Sequence, residues 1–101
     1  MSVKQEALDH YERMQKWVKT QPGGAWPSML SMRDAIGENW DGGFCSYCKR
    51  YGSCRDCPLY IDSPAKVACC AGLWFDMSNS RTWNEWFERS MKVVAYIKEH
   101  G

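Results

Sequence analysis

Val3, Ala7, Tyr11, Met14 and Val18 recur at steps of three and four residues, so the stretch from Ser2 to Thr20 gathers its apolar side chains on one helical face. Ser2 and Gln5 have the spacing of a capping box, in which Ser2 accepts from the Gln5 amide and Gln5 reaches back. Gln21-Pro22-Gly23-Gly24 ends that helix. A shorter helix is predicted from Ser28 to Ile36, with Met29, Leu30, Met32 and Ile36 on its apolar side and Gly37 as a left-handed C-terminal cap. From Gly37 to Tyr60 the periodicity vanishes, and Gly42, Gly43, Gly52 and Pro58 punctuate the chain. Ser63-Pro64 then opens a third helix with Val67, Cys70, Ala71 and Trp74 as its buried stripe. Thr82-Trp83-Asn84-Glu85 is a second capping box, introducing a helix to about Glu99 whose apolar face reads Trp83, Trp86, Phe87, Met91, Val94 and Ile97. No strand pattern exceeds Leu59-Tyr60-Ile61. The expected fold is mainly α, a small helical domain of about four helices with an irregular loop inserted between the second and third.

The 101 residues suffice for one domain, residues 1–101, and 45% hydrophobic with 25% charged residues is an ordinary globular balance. Thirteen Lys and Arg against twelve Asp and Glu leave +1, so any attraction to nucleic acid or an anionic membrane must be local. The first six residues mix charges without a secretory apolar run, and Val67 to Phe75, the longest uncharged apolar stretch, falls far short of the ~20 residues that span a bilayer. A cytoplasmic protein with no membrane partner is the expectation. In a reducing compartment six cysteines favour metal ligation over three disulfides.

Cys45-x-x-Cys48 and Cys54-x-x-Cys57 form two pairs within thirteen positions. Two residues between thiolates let a tight turn aim both sulfurs at one point, so the two turns together supply four sulfurs at about 2.3 Å to one tetrahedral zinc. The loop 43–62 has little to bury, and zinc binding would supply its folding free energy, on the order of 10 kcal/mol. Only five residues, Lys49 to Ser53, turn the second pair toward the first, with Gly52 at the apex. A set of three of these cysteines plus Cys69 is therefore an alternative. Cys70 shares the apolar stripe with Val67 and Trp74 and is read as a core thiol. His10 and His100 are read as solvated and frayed. An iron–sulfur cluster is the alternative cofactor: Cys57-Pro58 fits the end of bacterial ferredoxin runs, but the five-residue insertion does not.

A thioredoxin-like βαβ context, a deaminase Pro-Cys-x-x-Cys order, a phosphate loop and a nucleophile with a placed histidine are all missing from the sequence, so neither an enzyme nor a small-molecule substrate is expected. Lys49, Arg50 and Arg55, with Tyr51 among them, give the loop a local basic character that suits a phosphate backbone or simple solvation. Six tryptophans exceed what a small core hides with ease, and Trp26 and Trp40, placed in loops, are the candidates for a partner-binding surface.

Gly43-Phe44-Cys45 through Cys57-Pro58-Leu59, followed by Cys69, resembles small cysteine-rich proteins of bacteriophage and prophage genomes whose function is uncharacterised. The resemblance covers about 30 residues and implies a phage product acting in the host cytosol, in the size class of defence inhibitors. Together these readings point to a zinc-stabilised protein that binds a host protein stoichiometrically. A nucleic-acid-binding zinc module is the alternative, and a structural component the third.

Overall fold

The computed structural model describes residues 2–41, 44, 46, 50 and 71–100. Among them run four helices: α1 (Val3–Val18), α2 (Met29–Ile36), α3 (Ala71–Ser78) and α4 (Trp83–His100). The expected helical class is what the chain adopts. The start of the third helix at Ser63-Pro64, with Val67 and Cys70, lies outside the described residues, as does most of loop 43–62. No helix among the described residues is long and apolar enough to cross a membrane.

Local chemistry sets the helix ends. Ser2 Oγ accepts from the Gln5 amide at 3.0 Å, but the Gln5 side chain donates to Asp9 Oδ1 at 2.9 Å instead of reaching back to Ser2. A carboxylate one turn along is the stronger acceptor, so half of the expected box is replaced by an i,i+4 link. At α4, Thr82 Oγ1 accepts from the Glu85 amide at 3.1 Å, while Glu85 Oε1 takes the Arg81 amide at 2.9 Å, one residue before the expected one. Ser28 caps α2 through the Ser31 amide, and Gly37, at φ +77°, closes it with its N–H on the Arg33 carbonyl at 2.8 Å.

Helices α1 and α4 run antiparallel, and α3 and α2 pack against α4 and α1 respectively. On α1 the core face is Ala7, His10, Tyr11, Met14 and Val18. On α4 it is Trp83, Trp86, Ser90, Val93 and Ile97, a strict alternation of three- and four-residue steps. This corrects the predicted α4 face: Met91 is exposed and Phe87 and Val94 are only half-buried. The polar Ser90 occupies the middle of the true stripe, so apolar residues alone trace a neighbouring one. Leu30 is likewise exposed, because α2 turns Met29, Met32 and Ile36 inward and Leu30 lies 100° around from Met29.

Tryptophans fill the end of the bundle where α4 begins. Trp83 meets Trp17 edge-on at 5.3 Å between centroids and Trp40 at 5.9 Å, while Trp86 lies 5.3 Å from Trp40. The Trp74 indole donates to the Trp40 carbonyl at 2.9 Å. The turn after α1 is stitched to the same end: the Trp83 and Asn84 amides, two first-turn donors of α4, bond the Ala25 and Gly23 carbonyls at 3.0 Å each. A Cβ at Gly23 would stand 2.5 Å from the Asn84 carboxamide, so this approach needs glycine.

Candidate functional site

His10 lies three residues after Ala7 and four before Met14, on the core face of α1, and is 4% exposed. The reading of His10 as solvated is thereby corrected. Its Nδ1 stands 2.5 Å from Glu38 Oε1. Glu38 follows the left-handed Gly37, whose turn brings the chain back toward α1. One helical turn beyond His10, Arg13 donates Nε to both Glu38 oxygens at 3.1 and 3.2 Å and places Nη2 3.1 Å from Oε1. Burial alone would raise the Glu38 pKa, yet hydrogen bonds from Arg13 and His10, together with their charges, outweigh it and hold the carboxyl below its ordinary 4.5. Glu38 is therefore ionised at neutral pH and only accepts, which puts the Nδ1 proton on His10.

Beside this triad opens a cavity of about 600 Å³. Val3, Glu6, Asp9, His10 and Arg13 of α1 form one wall; Phe44, Ser46 and Arg50 form the other. The second wall is tied to α1 through Ser46 Oγ, which donates to the Val3 carbonyl at 2.7 Å. The cavity therefore joins a helix wall bearing carboxylates, imidazole and guanidinium to the stretch of chain that carries the first Cys-x-x-Cys pair.

The predicted site residues divide. Cys45, Cys48, Cys54, Cys57, Cys69, Lys49, Tyr51 and Arg55 lie outside the described residues. Among the described residues no three His, Cys, Asp or Glu gather into a metal-binding group. Arg50 is exposed and lines the cavity. Trp26 is 71% exposed, and Leu30, one helical turn along, 72%. Trp40, expected beside Trp26 on a partner surface, is instead 4% exposed in the core. Asn39 accounts for the difference: its side chain donates to the Met29 carbonyl at 3.2 Å and accepts the Asp41 amide at 2.9 Å, a local turn that lays Trp40 on the bundle. Sequence reasoning missed Glu38 and Arg13 altogether. The position of His10 on the α1 stripe was a usable signal, whereas nothing in the sequence around Glu38 marks it.

No family model, curated protein or solved structure matches the chain.

Proposed function

We propose that the chain is a small helical binding protein that occupies a partner protein's surface through Trp26 and Leu30, and that zinc held by Cys45, Cys48, Cys54 and Cys57 orders the loop beside α1. The carrying observation is the contrast among the tryptophans. Trp17, Trp40, Trp74, Trp83 and Trp86 are packed into the bundle, while Trp26 stands 71% exposed with Leu30 close in sequence at 72%. Large apolar side chains held in water are the anchors that protein interfaces use, since burial gains roughly 25 cal/mol for each Å² removed from water. Both lie at the tight link between α1 and α2, whose Ala25 carbonyl is fixed by the Trp83 amide. An anchor on an already ordered backbone loses little entropy on docking. The cysteine spacing and its resemblance to phage proteins support the zinc and a host target.

The test compares wild-type chain with a W26S/L30S variant as baits in host lysate treated with nuclease, alongside zinc analysis of the purified protein. A partner retained by wild type and lost by the variant, with one zinc per chain, is the expected outcome. Equal retention by both baits overturns the surface, and a partner lost on nuclease treatment favours the nucleic-acid module.

A further inference from the structure

We propose that His10 is a metal ligand, its Nε2 joining thiolates of the Cys45–Cys57 segment on one zinc ion, with Glu38 as the carboxylate that positions the ring. This inference rests on the zinc reading above and specifies its ligand set.

Burial supplies the first reason. A histidine whose side chain is 5% exposed on the inner face of α1 has a ring that must be satisfied by protein or ligand. The hydrogen bond supplies the second. The carboxylate takes the Nδ1 proton at 2.5 Å, so in the neutral ring the lone pair stands on Nε2, the nitrogen that would meet a metal. A carboxylate behind a ligating imidazole fixes tautomer and ring direction and raises its basicity. Arg13, clamped on both Glu38 oxygens, keeps that carboxylate ionised and in place.

Juxtaposition is the third reason. Phe44 and Ser46, the chain neighbours of Cys45, line the same cavity as His10, as does Arg50, two residues past Cys48. Ser46 is bonded to the first turn of α1. The ligand type fits the sequence as well. Only five residues separate the two Cys-x-x-Cys pairs, and a ligand brought by α1 removes the need for all four sulfurs to converge across so short a link. Three thiolates and an imidazole also leave the zinc complex at −1, where four thiolates leave −2, a charge that Arg50 on the cavity wall can balance.

The test is X-ray absorption at the zinc edge on the zinc-loaded wild-type chain, prepared anaerobically, with nitrogen-15 NMR of its histidines before and after zinc. Three sulfurs at about 2.3 Å with one imidazole nitrogen at about 2.0–2.1 Å, and a zinc-dependent shift of the His10 Nε2 resonance while Nδ1 keeps its proton, are expected. Four sulfurs and an unmoved His10 resonance overturn the ligand while leaving the zinc reading intact. A chain that takes up no zinc overturns both.

Discussion

Ser90 is the polar residue at the centre of the α4 stripe and is fully buried against α1. Its hydroxyl donates to the Phe87 carbonyl at 2.6 Å and accepts from Gln15 Nε2 at 2.9 Å, linking the two helices across 75 residues of chain. Replacing it with alanine removes a neutral hydrogen bond, a loss of about 1 kcal/mol, and leaves the half-buried Gln15 amide short of an acceptor. Alanine returns a few tenths of a kcal/mol in helix propensity, so Ser90→Ala is expected to destabilise by about 0.5–1 kcal/mol. At roughly 4–8 °C per kcal/mol for a domain of this size, Tm should fall by about 2–8 °C, read by circular dichroism. Gln15→Met should cost about 0.5 kcal/mol, because the Ser90 hydroxyl keeps its bond to Phe87. With both changes the seam is apolar on both sides and the double variant should return to within about 0.5 kcal/mol of wild type. A Ser90→Ala protein at or above the wild-type Tm, or two losses that simply add, would refute the reasoning.

The Glu38 carboxyl is held below 4.5, so the stability it contributes is present above pH 4.5 and is lost as pH falls through the lower folded value. Wild type should therefore exceed Glu38→Gln by about 1–2 kcal/mol at pH 7 in urea titrations, with the gap closing in acid; a gap that persists at pH 2 contradicts the ion pair. Trp26→Ser should leave stability within about 0.5 kcal/mol and abolish the most acrylamide-accessible fluorescence, whereas Trp86→Ala should cost about 3–5 kcal/mol, much of what a small domain has. An added Cβ at Gly37 meets nothing within 4 Å, so Gly37→Ala should lose roughly 1–2 kcal/mol from the positive φ alone, and Gly37→Asn less. Equal Tm values for these two variants would show that the left-handed cap is not what matters there.

Much of this architecture was legible because helix ends are local chemistry. Ser2, Ser28, Gly37 and Thr82 lie at the ends where short-range hydrogen bonds place them. The failures come from long-range packing. Ser90 belongs to the buried stripe through a bond to Gln15, which no window along α4 contains. Trp26 and Trp40 look alike as loop tryptophans, and only the Asn39 turn and the facing rings of Trp83 and Trp86 separate the anchor in solvent from the one in the core. The His10 partner is 28 residues away and emerges only when α2 folds back on α1.

Pairing the first helix with the last has a consequence for the order of folding. Four residues separate α3 from α4, but sixty-four separate α1 from α4. Because closure entropy grows with the logarithm of loop length, that sixteenfold ratio costs about 2.4 kcal/mol more. The α3–α4 hairpin should therefore assemble early, with α1 docking onto it late. Truncations on the inner face of α1, such as Met14→Ala, should then chiefly quicken unfolding, while Met77→Ala on α3 should slow folding. A helical domain so wired closes from its C-terminal half, and its first helix is the latch.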